Sequence, residues 1–299
     1  MGLLATPLAS PLLTNLQSFT SLFLSHTEGM AARRKLSLER RKIAPFNFDG
    51  SGMEGGEDVK EAKGMVEAYM EMTVEAFGQS AVFGGLGGIE EEVERLVYGK
   101  LYPRLMELVE DEEGDKELKD KMDDISWLTF ENLDIACLST GERSSDPTDG
   151  GSWESAKSRL AELRYAKSAS DKLGIFMSAS SLITHSVTGA IEGGGAMGAD
   201  DFLPAVILCV LHSNVMSIAS HVAFANSFLP ESALRGEGGY VLTHFYSAVE
   251  FLRTAEESGF KVDEGEWGRR VENVRSERRE RKAGEEKKGG MGEEDAKRR

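Results

Sequence analysis

Residues 198–213 read GADDFLPAVILCVLHS, and from Phe202 to Leu211 nearly every position is apolar. A helix that is apolar on all sides is buried on all sides. The stretch falls well short of the roughly 20 residues that a bilayer span needs, so it reads as the central rod of a folded core. Asp200 and Asp201 fall where an N-cap and a first-turn residue would stand, and Pro204 is tolerated in a first turn. The positive end of the helix dipole favours negative charge at both aspartates. On spacing alone, Asp200 is a cap contributing about 1 kcal/mol.

Helical periodicity continues on both sides. From Glu57 to Phe77, the residues Val59, Ala62, Met65, Val66, Tyr69, Met70, Val74 and Phe77 recur at three- and four-residue spacings. A Gly-rich break at 84–88 separates this helix from a second, Ile89 to Leu108, with Val93, Leu96, Val97, Leu101, Leu105 and Leu108 on one stripe and Pro103 as a candidate kink. Residues 110–124 are strongly acidic and read as a solvated helix or loop. The segment 125–135, ISWLTFENLDI, is short and apolar, and 139–152 is a loop. Helical patterns resume at about 153–166 and 170–187. After the turn GEGG at 236–239, Val241, Phe245, Ala248, Val249 and Leu252 form a buried stripe, with Tyr240, Thr243 and Ser247 on a polar stripe beside it. No segment alternates with period two for long enough to be a strand, so the fold class is all-α.

Composition narrows the function. The 299 residues carry 35 Lys+Arg against 51 Asp+Glu, a formal charge of −16. Residues 1–45 hold six basic and two acidic groups, and residues 268–299 hold twelve and eight, which leaves −24 on the body between them. An acidic body argues against binding nucleic acid. Two cysteines, Cys137 and Cys209, are too few for a disulfide framework or a structural zinc site. The five histidines form no i, i+4 ligand pair, so no metal site is expected. Gly193, Gly195 and Gly198 satisfy GxGxxG, but a helical tail precedes them where a dinucleotide fold needs a strand. Asp200 and Asp201 lie about 100° apart on a helix, a poor start for a two-carboxylate hydrolase. No GxSxG or P-loop is present.

Residues 1–27 carry no charged side chain and are rich in hydroxyl residues. Three readings fit: a disordered tail, a transit peptide, or an acylated arm. For the last, MGLLAT matches the myristoylation pattern at Gly2 and Thr6, and the basic run Arg33 to Lys42 supplies a second membrane signal. The run from Gly268 is a highly charged low-complexity segment, either solvated helix or disorder.

Four segments in order carry a family resemblance: VERLVYGKLYPRLM at 93–106, ISWLTFENLDI at 125–135, SASDKLGIFMSASSLI at 168–183, and GADDFLPAVILCV followed by GEGGYVLTHFYSAVEFL. Together they resemble the vacuolar-protein-sorting-nine (Vps-nine) domain, over about Val93 to Leu252. The resemblance implies a layered helical catalytic core propped by a preceding helical bundle, and composition adds disordered tails on either side. The expected division is a basic tail at 1–56, the bundle at 57–115, the core at 116–258 and a charged tail at 259–299. It further implies guanine-nucleotide exchange on a Rab GTPase of the Rab-five subfamily, without covalent chemistry and with no cofactor of its own, since Mg²⁺ and GDP/GTP belong to the GTPase. Asp200 falls on the family's acidic finger. Asp201, Pro204, Tyr240 and Thr243 fall on its GTPase-contacting positions.

A monomer in the cytoplasm, peripheral at endosomal membranes, is expected. The chain departs from the family at Phe130, at His212, at Val215 and Met216 in place of two prolines, and at His244 in place of asparagine. The competing reading is a helical scaffold that binds a Rab without accelerating exchange.

Overall fold

The computed structural model describes residues 10–41, 56–79, 87–133, 135, 148, 151–191, 196–263 and 265–297. Gly2, Gly193, Gly195, Cys137 and most of 139–152 lie outside the described residues. Among those described, the regular structure is helical and no strand occurs. The helices are α1 Ser10–Arg41, α2 Glu57–Gly78, α3 Ile89–Glu107, α4 Glu112–Asp124, α5 Gly151–Ala161, α6 Ala169–Ala190, α7 Ala199–Ser213, α8 Ile218–Phe228, α9 Glu237–Thr254 and α10 Glu266–Lys297.

The first layer is a bundle of α1, α2 and α3. The stripes read from the sequence are the buried ones: Val59, Ala62, Val66, Tyr69 and Phe77 on α2, and Val93, Val97, Leu101 and Leu105 on α3. Pro103 sits inside α3 on its exposed side. The disordered amino-terminal tail expected from composition is corrected here, because residues 10–41 form a helix that joins the bundle. Leu16, Phe23, Thr27 and Met30 are buried, Phe19 stacks on Tyr69 with centroids 3.9 Å apart, and His26 lies 2.9 Å from Glu61. These contacts recur about once per two turns, so an apolar stripe this sparse is hidden among Ser, Thr and Gln.

The second layer is built on α7. Phe202 and every residue from Ala205 to Leu211 are buried, against α9, α5 and α6. Fully burying each large aliphatic side chain contributes about 1.5–3 kcal/mol, so this rod anchors the layer. Helix α8 lies between the layers, packing on α6, α9, α2 and α3. Its last carbonyls receive donors from the bundle: Lys63 Nζ donates to the Leu229 carbonyl at 2.6 Å, and Tyr98 Oη to that of Phe228 at 3.1 Å. A helix end leaves such carbonyls unpaired unless something outside the helix reaches them.

One cation is sunk in the core. Lys172 on α6 is fully buried, and its ammonium donates to the carbonyls of Leu163 at 3.1 Å and Ala166 at 2.7 Å, and to His221 Nδ1 on α8 at 3.2 Å. The rings of Tyr102 and Phe224 lie 5.0 and 5.3 Å away. Burial lowers the Lys172 ammonium to about 7. Burial, and next the charge of Lys172, lower His221 to about 3.

The acidic segment after α3 is more than the solvated stretch its composition suggests. Asp111 caps α4 by accepting from the Gly114 amide at 2.9 Å, and Leu118 and Met122 are buried. Asp115 is buried and accepts from the amide and hydroxyl of Ser220 on α8. The outer face of α4 receives α10, and of the two readings of that charged segment, solvated helix or disorder, it is the helix that forms. Arg275 pairs with Asp124, and Arg278 reaches Asp120, Asp123 and Asp124. Trp267 packs edge-on against Trp127 with centroids 5.7 Å apart.

Candidate functional site

The start of α7 is organised by Asp201 rather than Asp200. Gly198 is the N-cap and has no side chain to offer, so the third helical residue supplies the contact. The buried carboxylate of Asp201 accepts from the Gly198 amide at 3.1 Å, which is half of a capping box. The capping role assigned to Asp200 from spacing therefore moves to Asp201. Asp201, named among the contact positions, instead has its carboxylate turned to its own backbone. Asp200, one residue earlier, is exposed and makes no hydrogen bond or ion pair among the described residues. Pro204 is the sixth residue of α7, beyond the first turn where it was expected. Having no N–H, it withholds the donor that the Asp200 carbonyl would otherwise meet.

The start of α9 lies alongside. Gly236, the N-cap, has φ 80, a left-handed conformation that glycine adopts without strain. The GEGG run is therefore the first turn of α9, where a separate turn was expected. A Cβ on Gly239 would stand 1.9 Å from the Leu234 carbonyl oxygen, so the turn 230–235 seats directly on the helix. Tyr240, one residue on, is 49% exposed. Its ring stacks on Phe202 of α7 with centroids 5.9 Å apart and planes 15° apart. Its hydroxyl has no hydrogen-bond partner among the described residues. Thr243 is exposed, and its hydroxyl donates to the Gly239 carbonyl at 2.7 Å, which leaves the oxygen's lone pairs for an outside donor.

The fold thus places Asp200 at the amino-terminal end of α7 and Tyr240 and Thr243 in the first two turns of α9, and the Phe202–Tyr240 ring contact joins the two helix starts. A carboxylate, a phenol and a hydroxyl are exposed at these two helix starts. His212, at the far end of α7, is a structural residue: its Nε2 donates to the Leu128 carbonyl at 2.9 Å, and burial lowers its pKa. No group of three or more His, Cys, Asp or Glu able to hold a metal occurs among the described residues. No helix among them is long and apolar enough to cross a membrane.

Residues 153–257, which contain both helix starts, match the family model described as the Vacuolar sorting protein 9 (VPS9) domain. This chain carries a VPS9 domain. Vacuolar protein sorting-associated protein 9A of Arabidopsis thaliana is 25% identical over 266 residues, 86% of this chain and 50% of that protein. Rab5 GDP/GTP exchange factor of Homo sapiens is 24% identical over 195 residues, 64% of this chain and 38% of that protein. GTPase-activating protein and VPS9 domain-containing protein 1 of Bos taurus is 31% identical over 105 residues, 35% of this chain and 7% of that protein. The chain spans half or less of the length of these relatives. The VPS9 match covers α5 to α9, with α1 to α4 preceding it and α10 following it.

Two features of the site region were not legible in the sequence. Phe202, read only as rod, also supports Tyr240, and His244 completes a cluster of three rings. A register count that set α7 and α9 side by side would have been needed to find either.

Proposed function

We propose that this VPS9 domain is a guanine-nucleotide exchange factor for a small GTPase of the Rab-five subfamily. The observation that carries the reading is Asp200: an exposed carboxylate with no partner among the described residues, at the start of the helix whose Phe202 meets the Tyr240 ring. Relatives named Rab5 GDP/GTP exchange factor support the class of partner.

A GTPase holds GDP through Mg²⁺ and a phosphate-cradling loop with its lysine. The Asp200 carboxylate competes with the β-phosphate for that lysine and disfavours the metal. Tyr240 and Thr243 hold the switch segments away from their nucleotide-bound arrangement, the phenol by its ring and hydroxyl, the threonine by its oxygen. Whatever weakens GDP binding also makes GDP weaken binding of the exchange factor, because the coupling is reciprocal. GTP refilling the site then releases the factor. The metal and nucleotides belong to the GTPase, and the exchange factor contributes a fixed charge and a shaped surface. Its place of action on this reading is the cytoplasmic face of endosomal membranes.

Release of fluorescent GDP from a panel of Rab proteins tests the proposal. Wild-type protein accelerates release from a Rab5-type member, and Asp200→Ala lowers the rate by about two decades, as loss of a preorganised electrostatic group does. Tight binding to the nucleotide-free Rab without acceleration would make the chain a scaffold instead.

A further inference from the structure

His244 stands one turn after Tyr240 on α9 and is half-buried. Its ring lies 4.2 Å from the Tyr240 ring and 4.9 Å from that of Phe202. Its Nδ1 lies 2.8 Å from the Tyr240 carbonyl oxygen. A carbonyl only accepts, so Nδ1 carries the proton and Nε2 of the neutral ring is the acceptor. Phe202 is buried two residues past Asp200 and stacks on Tyr240. Three rings are therefore in mutual contact, two from α9 and one from the finger helix α7.

We propose that His244 is a positioning residue for exchange: it locks the Tyr240 ring against Phe202 and so sets the spacing between that ring and Asp200 before a GTPase arrives. This rests on the function proposed above, in which Tyr240 meets the GTPase. A half-exposed tyrosine in a first helical turn has several staggered side-chain conformations open to it unless packing selects one. Phe202 alone gives it one neighbouring ring. His244 gives it a second, and the bond from Nδ1 to the Tyr240 carbonyl keeps the imidazole from swinging away. Ordering the ring in advance removes an entropic cost from association. The role belongs to the imidazole's shape more than its polarity, because its contacts with Phe202 and Tyr240 are ring to ring, tilted by 58° and 48°. A side chain of the same reach without a ring would keep the carbonyl contact and lose the lock.

The test uses the full chain with His244→Ala, His244→Phe, His244→Asn, Tyr240→Ala and the double variant Tyr240→Ala/His244→Ala. The first readout needs no GTPase. Protein labelled with 3-fluorotyrosine is followed by fluorine NMR, with the Tyr240 line assigned from Tyr240→Phe. A shifted Tyr240 line in wild type should move toward the solvent-exposed position in His244→Ala and stay in place in His244→Phe. The second readout is GDP release against exchange-factor concentration. In His244→Ala the half-maximal concentration rises roughly three- to tenfold, the scale of one aromatic pair, while the maximal rate stays within about twofold and the melting temperature within about 3 °C. His244→Phe restores most of the loss and His244→Asn little of it. In the Tyr240→Ala background His244→Ala adds nothing further, because a residue acting through another shows full coupling in the cycle. An unmoved fluorine line in His244→Ala overturns the proposal, as does an equal penalty in the Tyr240→Ala background. Failure of wild type to accelerate release from any Rab would defeat the exchange function, and the fluorine line would still decide whether His244 holds the ring.

Discussion

Two adjacent aspartates at the start of α7 have divided their duties, and the division can be measured. Asp201 holds the Gly198 amide, so Asp201→Ala removes a cap contact and lowers stability by about 1 kcal/mol in urea unfolding. Asp200 makes no hydrogen bond among the described residues and has only the helix dipole to lose, so Asp200→Ala lowers the unfolding midpoint by less than Asp201→Ala does, while exchange falls. The same shift in both variants would contradict this assignment. A second residue-scale expectation comes from the buried pair on α6 and α8. His221 titrates near 3 in the fold against 6.5 as the ordinary value. As pH falls below 6.5 the unfolded chain takes up the proton first, so stability is intact above that point and declines toward pH 3. Lys172, lowered to about 7 from 10.5, makes stability rise further between pH 7 and 10.5 by the same linkage. Urea midpoints measured from pH 8 to pH 4 should fall, and His221→Phe should flatten the acid part of that slope.

Among the elements, legibility followed periodicity. Helices α2, α3, α7 and α9 bury five to nine side chains each on tight three-four spacings or all round, and these were plain in the sequence. Helix α1 buries few, widely spaced side chains, and in α4 the apolar pair Leu118 and Met122 is outnumbered by acids that cap and brace it. Charge and hydroxyl content dominated the reading of both. The candidate residues were legible because Tyr240 and Thr243 lie on a polar stripe and Asp200 precedes an apolar run. The Lys172–His221 contact joins positions 49 apart, and no local pattern announces such a pair. At this scale the rod is the sensitive element: Leu208→Ala opens a cavity in the buried run from Ala205 to Leu211 and should lower stability by about 2–5 kcal/mol. Gly239→Ala acts differently. Its methyl cannot share space with the Leu234 carbonyl, so α9 must shift its first turn, and exchange should fall along with the melting temperature.

For the molecule as a whole, charge is arranged in opposed layers. The chain is strongly acidic, yet α10 offers arginines to the most acidic helix and fastens there through Arg278, whose side chain is only 20% exposed. A partly buried network outweighs an exposed pair, so Arg278→Ala should reduce stability by about 1 kcal/mol at low salt and by less in 1 M salt. Fluorescence of Trp127 and Trp267, whose rings touch across this contact, reports the release directly. An effect that ignores salt would point to lost packing instead of lost charge.

The hydrogen bonds from Lys63 and Tyr98 to the end of α8 bear on how this protein can be handled. A recombinant piece trimmed to residues 153–257 would lack both donors and the two tyrosine rings that flank Phe224. Its α8 would then open onto solvent just upstream of the turn that seats α9. Such a piece should precipitate or exchange sluggishly although every residue at the contact edge is present, and expression trials would do well to begin upstream of Glu57.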